Sequence, residues 1–229
     1  MTKPVCAVIG IGPKNGAAFA RTFSARGYSL ALLSRSTQLS EALATELGDA
    51  RAYACDASDP NSVTSAFRQI RNDLGAVDVL IYNAGSGSWK TVEELTVEEF
   101  ERSWRINALG GLVAAQQVIP DMKATGAGNI VFVGATASLR GRPMTAGFAP
   151  AKAAQRILAQ SMAKHLGPMG IHVSLLIIDG QIGDADSPAT QEGKRLDPRD
   201  IADSAYQLTT QPRSAWSFEV DLRPMQETW

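Results

Sequence analysis

The sequence predicts an α/β fold: a doubly wound parallel sheet of about seven strands with helices on both faces, in a single domain. Three observations carry this. Short β-rich apolar runs alternate with helical patterns from one end of the chain to the other. These runs are apolar throughout, so each strand is buried on both faces, as in a parallel sheet covered by helices. Finally, 229 residues without an internal repeat or low-complexity tract can bury a large core as one unit.

The elements follow in order. Val5 to Ile9 reads as the first strand, Gly10 to Gly16 as a turn, and Asn15 to about Arg26 as a helix that Gly27 stops. Ser29 to Leu33 is the second strand. The next helix stacks Leu39, Leu43 and Leu47 on one face and ends at Gly48. Arg51 to Cys55 is the third strand. Asp59-Pro60 opens the following helix, with Asp59 as N-cap and Pro60 at the first helical position; Val63, Phe67, Ile70 and Leu74 mark its buried face. Val77 to Tyr82 is the fourth strand. Thr96-Val97-Glu98-Glu99 fits a capping box at the start of a long helix that reaches about Lys123. Asn129 to Val133 is the fifth strand, Gly147 to Leu166 a helix closed by Gly167-Pro168, and Ile171 to Ile178 the sixth strand. Asp197-Pro198 repeats the start signal for a last helix, and Ser217 to Leu222 is the seventh strand.

Composition excludes several classes of function. Apolar residues make up 45% and charged residues 20%, with a formal net charge of −1. No basic field therefore exists to attract nucleic acid or an anionic membrane, and no uncharged apolar run reaches membrane-spanning length. Met1-Thr2-Lys3-Pro4 leads straight into a strand without a signal-peptide pattern, which gives the expectation of a cytoplasmic protein. Cys6 and Cys55 lack metal-ligand spacing and read as buried reduced thiols. Neither His165 nor His172 pairs with a Cys or carboxylate at such spacing, so no metal is expected.

Ligands of such sheets sit at the carboxyl ends of the strands, so the residues just after each strand bear on function. After the first strand, Gly10, Gly12 and Gly16 let the backbone approach a pyrophosphate closely, and Lys14 and Asn15 lead into a helix whose positive end faces it. After the second comes Ser34-Arg35-Ser36. NAD binders commonly hold the ribose 2′-hydroxyl with a carboxylate here, whereas Arg suits a 2′-phosphate. With Lys14 adding positive charge, NADP(H) is the preferred cofactor and NAD the alternative. Asp56-Ala57 follows the third strand and Asn83-Ala84-Gly85 the fourth.

This order of motifs resembles the short-chain dehydrogenase/reductase family, whose sheet is of the Rossmann type, from Val5 to about Leu222. The family's Thr-Gly-x-x-x-Gly-x-Gly turn is matched by Gly10 and Gly16, with Ile9 at its threonine and Lys14 at its middle glycine. Asp56 matches its adenine-contacting Asp, and Tyr82-Asn83-Ala84-Gly85 its Asn-Asn-Ala-Gly. Asn107 matches the mid-helix catalytic Asn and Lys152 the Lys of Tyr-x-x-x-Lys. The Tyr itself is replaced by Phe148 and the preceding Ser by Ala135, while Pro-Gly after the sixth strand becomes Asp179-Gly180. The resemblance implies that Gly180 and Ile182 also lie against the cofactor, that Lys152 holds its ribose, and that Asn107 positions a water in a proton relay. It implies hydride transfer with a carbonyl or alcohol substrate.

Phe148 has no exchangeable proton, and Ala135 offers no side-chain hydrogen bond. The binding half of the site is intact and the ordinary catalytic half is not. Of the tyrosines, Tyr82 alone ends a strand near the right edge; Thr136, Ser138 and Thr145 follow the fifth strand and are poor acids without activation. His165 and His172 read as structural from their placement. The apolar residues around Lys152 and Asn107 make both buried rather than solvated. Gln181 to Leu196 is a long polar loop, which suggests a lid. Three readings follow: an NADP(H)-dependent oxidoreductase with a non-standard proton donor, a non-catalytic dinucleotide-binding sensor or silent subunit of a hetero-oligomer, and a non-redox enzyme. The family's habits imply a homodimer or homotetramer, with Ala114, Ala115, Val118 and the tail from Trp216 to Trp229 (Leu222, Pro224 and Met225 within it) as candidate contacts. The expected partner at the site is a small-molecule substrate.

Overall fold

The computed structural model describes residues 3–228; Met1, Thr2 and Trp229 lie outside the described residues. Strand β1 (Val5–Ile9) is followed by helix α1 (Asn15–Ala25), β2 (Ser29–Ser34), α2 (Gln38–Leu47), β3 (Ala50–Ala54), α3 (Pro60–Asp73) and β4 (Val79–Tyr82). Then come α4 (Val97–Trp104), α5 (Gly110–Thr125), β5 (Gly128–Ala135), α6 (Phe148–Leu166), β6 (Ile171–Ile178), the short α7 (Pro188–Gln191), α8 (Pro198–Thr209) and β7 (Glu219–Leu222). The strands form one parallel seven-stranded sheet in the order β3-β2-β1-β4-β5-β6-β7. The chain reverses direction across the sheet between β1 and β4, and their carboxyl ends open a crevice there.

Side chains alternate along each strand, so one strand feeds two cores. Val5, Ala7 and Ile9 join the cluster beneath α3, α5 and α6. Cys6 and Val8 join the one beneath α1 and α8. β1, β4 and β6 are buried along their whole length, which accounts for their uninterrupted apolar sequence. The helix-start signals act as read: the Asp59 carboxylate accepts from the Asn61 N–H at 3.0 Å, Thr96 and Glu99 cap each other, and Asp197 accepts from the Arg199 N–H at 2.8 Å.

The structure departs from the sequence reading at several points. The edge strands β3 and β7 are not buried on both faces, because each has a neighbour on one side only: Arg51, Ala54 and Asp221 are exposed. β5 extends to Ala135 and β7 begins at Glu219. β4 begins at Val79, but Asp78 still pairs sideways: its N–H donates to the Val5 carbonyl at 2.9 Å and its carboxylate accepts the Val5 N–H at 2.8 Å. The long helix expected from Thr96 to Lys123 is interrupted by a π turn at Arg105–Leu109. Leu39, expected on the buried face of α2, is 39% exposed, because it lines the groove beside Arg35. Ala114, Ala115 and Val118, expected at a subunit contact, are buried in this chain's own core; α5 turns that face toward the sheet. Among the described residues no helix is long and apolar enough to cross a membrane.

The π turn has a local cause. Tyr82, at the end of β4, is fully buried, and its hydroxyl donates to the Ile106 carbonyl within the turn. A side chain at Gly110 would collide with that hydroxyl and with the Ala57 carbonyl. Tyr82→Phe removes the donor and leaves a buried carbonyl without it. Urea unfolding should show a loss of about 1–3 kcal/mol with an unchanged denaturant slope; an unchanged midpoint would mean that the hydroxyl does not hold the turn.

Candidate active site

The first turn is tight for reasons visible in its backbone. Gly10 has φ +95°, and a Cβ there would lie 2.5 Å from the Ala84 nitrogen. A Cβ at Gly16 would lie 2.6 Å from the Gly10 carbonyl oxygen. Gly12 has nothing within 4 Å, so its face toward the groove is open. The Asn83 amide donates to the Gly10 carbonyl at 2.7 Å, which clamps the ends of β1 and β4 together. No acidic residue occupies the first turn of α1, so no carboxylate there offsets the helix's positive end.

A continuous groove runs along this edge. One part, about 410 Å³, is lined by Gly10, Ser34, Arg35, Asp56, Ala57, Ala84 and Arg102, among others. Asn83, Gly85 and Ser86 join it to a cleft of about 800 Å³ that contains Asn15, Ala135, Thr136, Phe148, Lys152, Asp179, Gly180 and Ile182. The structure thus brings many of the dispersed candidate residues to one groove; Gly12 lines the neighbouring groove beside Arg35, and Lys14, Gly16 and Asn107 line neither part. Arg35 is exposed and Ser34 buried, its hydroxyl donating to the Ser36 carbonyl at 2.8 Å. Asp56 accepts from the Ser58 hydroxyl at 2.7 Å and its N–H at 2.9 Å; these bonds, and then the charges of Arg35 and Arg102, hold its carboxyl below the usual range. Lys14 goes elsewhere than the ribose end: its ammonium donates to the Ile182 carbonyl at 2.8 Å and lies 3.5 Å from Asp184. It ties the first turn to the loop after β6. That loop is itself closed at its neck, with Gly183 and Leu196 N–H groups donating to Leu196 and Gln181 carbonyls at 2.9 Å each.

The π turn aims Asn107. Its amide nitrogen donates to the Ser86 and Ser103 carbonyls, each at 2.8 Å, while Oδ1 is buried without a partner. A Cβ at Gly85 would lie 3.4 Å from this Oδ1 and 3.6 Å from Lys152 Nζ, so the glycine keeps open the space between the two groups. Lys152 is buried and donates to the Val133 carbonyl at 2.9 Å and to Gln155 Oε1 at 3.1 Å. Burial moves its ammonium from the ordinary 10.5 down to about 7. Phe148 sits one helical turn earlier on α6, with its ring 5.3 Å from that of Trp89 and 5.9 Å from Lys152 Nζ.

Other candidates fall away from the cleft. The Tyr82 hydroxyl is committed to Ile106, and desolvation raises it far above an ordinary phenol. Ser138 is buried and absent from the cleft wall, whereas Thr136 and Thr145 line it. His172 is packed between the Leu208 and Ser217 carbonyls at 3.1 and 2.8 Å and stacked on Trp216, at the opposite end of β6. His165 is exposed in the last turn of α6. Among the described residues no group of three metal-ligating side chains gathers. Sequence reading missed Trp89, Arg102, Arg140 and Arg142 as groove residues, for they follow strands only at a distance. It also left unused the contact of Thr136 Oγ1 with Asp179 Oδ1 at 2.6 Å, which requires β5 and β6 to be neighbours.

With this geometry in place, comparison with known proteins gives the family. A match to the short chain dehydrogenase family covers residues 5–183, and the chain belongs to that family of oxidoreductases. It is 25% identical over 227 residues to an uncharacterized oxidoreductase of Staphylococcus epidermidis, covering 96% of this chain and 97% of the other. A short-chain dehydrogenase from Rhodopseudomonas palustris superposes with a TM-score of 0.85 at 34% identity, covering 96% and 98% of the two chains. An alcohol dehydrogenase from the archaeon Thermococcus sibiricus, solved with 5-hydroxy-NADP, gives 0.89 at 27% identity, covering 99% and 98%.

The buried lysine makes stability depend on pH in a defined direction. Its folded value of about 7 lies below the ordinary 10.5, so between the two the unfolded chain binds more protons and stability rises with pH. Above pH of about 7, the wild type should gain roughly 1.4 kcal/mol per pH unit over Lys152→Met. Paired denaturant titrations across that window measure it; a constant difference would show that the ammonium is not desolvated.

Proposed function

We propose that this protein is an NADP(H)-dependent oxidoreductase of a divergent branch of its family, acting on a carbonyl or alcohol without the family's Tyr and Ser. The observation that carries this reading is the pair of polar groups converging beside Gly85: the unpartnered Asn107 Oδ1 and the buried Lys152 ammonium. An orphaned buried acceptor next to a donor, opening on a groove long enough for a dinucleotide, fits a bound cofactor and an ordered water. Gly10, Gly12, Asn15 and Gly16 would receive the pyrophosphate, Arg35 the 2′-phosphate, and Asp56 and Ala57 the adenine. Asn83, Ala84, Gly85, Lys152, Gly180 and Ile182 would flank the nicotinamide half. When bound, the nicotinamide supplies or accepts the hydride.

The chain's own residues would manage the proton. Lys152 has three N–H bonds, of which two go to Val133 and Gln155, leaving one for the open space toward Asn107. With a value near 7, it can give and regain a proton at neutral pH. In reduction the carbonyl oxygen would take that proton, directly or through the water held at Asn107 Oδ1, as hydride reaches the carbon. Phe148 and Trp89 would exclude other water. The loop after β6, joined to the first turn through Lys14, would close over the ligand. Assembly into a homodimer or homotetramer belongs to the same proposal; the exposed Val97, Phe100 and Trp104 of α4 and Ile157 of α6 support it in place of the buried α5 alanines.

Equilibrium binding to nucleotide-stripped protein tests the cofactor. NADPH should bind at least about tenfold more tightly than NADH, and Arg35→Asp should erase the difference. Equal affinity in the wild type would dispose of the 2′-phosphate role. For turnover, Phe148→Tyr with Ala135→Ser should raise carbonyl reduction by about 10²-fold or more. Tight NADPH binding with no gain in the double variant would favour the silent-subunit reading, to which the missing Tyr and Ser also point.

A further inference from the structure

The cleft carries charge that the proton path does not use. Besides Lys152, Arg140, Arg142 and Lys194 supply its positive groups, Asp179 and Glu227 its negative ones. Asp179 is paired with Arg223 at 3.2 Å and Lys194 with Glu192 at 2.6 Å. Among the described residues, no carboxylate lies within ion-pair distance of Arg140 or Arg142, although both border the cleft. Two guanidinium groups without an ion pair among the described residues stand in the cleft against one such carboxylate, Glu227, so the local field is positive; their flat donor edges match a carboxylate through paired hydrogen bonds.

The loop that bears them is held rather than loose. The Arg142 N–H donates to Thr145 Oγ1 at 2.8 Å, and that hydroxyl donates back to the Arg142 carbonyl at 3.0 Å. Thr145 is buried and bridged to Lys90 in the loop after β4. This fixes the arginine turn relative to Trp89, whose ring meets that of Phe148. One wall of the cleft is therefore aromatic and one rim cationic.

These arginines are not where the dinucleotide's phosphates would lie. In the function proposed above, on which this inference rests, those phosphates meet the first turn and Arg35 at the β1 and β2 ends. Arg140 and Arg142 follow β5, beyond Ala135. We infer that the substrate is an anionic carbonyl compound, or the corresponding hydroxy acid, whose carboxylate is held by Arg140 and Arg142 while its apolar body packs on Trp89 and Phe148. Binding at this remote end would orient the carbonyl in a site where Ala135 has no hydroxyl to do so.

The test uses two probes of nearly the same shape, phenylglyoxylate and its neutral methyl ester, titrated calorimetrically into NADP⁺-saturated protein, in which no reduction can proceed. Phenylglyoxylate should bind at least about tenfold more tightly than the ester. Added salt should shrink that advantage, and Arg140→Gln with Arg142→Gln should abolish it. Equal behaviour of the probes, whether both bind or neither does, overturns the inference, as does a preference that survives in the double variant. Failure of the underlying function reads differently. A protein that binds no NADPH but still prefers the acid through these arginines would lose the reductase reading and keep the anion site. One that binds NADPH tightly and ignores the carboxylate would do the reverse.

Discussion

Burial of the sheet on both faces is the constraint on which the rest of this molecule depends. Strands covered on both sides admit few polar side chains within the layer, and those they admit, such as His172 in β6, are hydrogen-bonded within the protein; parallel strands all end at the same edge. Polar and charged groups that serve a ligand are therefore confined to the strand ends and the turns that follow. Ser34, Asp56, Asn83, Thr136 and Asp179, from five different strand ends, are neighbours along one groove for this reason. The reversal between β1 and β4 decides where the groove is deepest, because the helices after those strands depart to opposite faces. The contact of Gly10 with the Ala84 backbone shows how closely the two ends must approach.

A second dependence links core to site. The side chain of Tyr82 fills the space under α5 that Gly110 and Gly111 leave open, against the ring of Phe132. Its hydroxyl engages the Ile106 carbonyl, and the extra residue accommodated by the π turn rotates Asn107 inward. A defect in helix hydrogen bonding thus places a buried polar group behind Gly85, which lines the cleft, as such defects often do at functional positions. Lys152 reaches the same spot from α6 by entering the core. Its desolvation favours the neutral amine, and the Val133 carbonyl and Gln155 amide oxygen offset only part of that. The strained protonation of this lysine and the orphaned oxygen of Asn107 are two consequences of one arrangement: polar groups held dry beside an opening shaped for a ligand.

The cleft itself combines an apolar floor with charged walls. Phe148 and Ala135, whose side chains carry no polar atom, belong to the floor. Around it stand polar groups, namely Asp179 tied to Thr136 and Arg223 and the arginine rim after β5. The first cluster joins the ends of β5 and β6 to the segment after β7, stiffening the cleft wall. The second sets its electrostatic character.

The sequence by itself determined the strands, the helix starts, the glycine turn and the identity of the groups at each strand end. Each of those rests on local physics: the period of apolar residues, the capping carboxylates Asp59 and Asp197, and the φ preference of Gly10. It also placed Phe148 four residues before Lys152, one helical turn away on the same helix, since that spacing needs no coordinates. Only the tertiary structure decided where side chains point. Tyr82 and Asn107 both lie near the cleft in sequence terms, yet the Tyr82 hydroxyl turns to the Ile106 carbonyl in the core while the Asn107 amide oxygen is buried beside Gly85. Lys14 looked like a phosphate ligand until the loop after β6 came within reach of it. Arg140 and Arg142 could not be told from solvated surface charges along the chain. Their significance depends on which walls face them and on the absence, among the described residues, of a carboxylate within ion-pair distance, and both are properties of packing between segments distant in sequence.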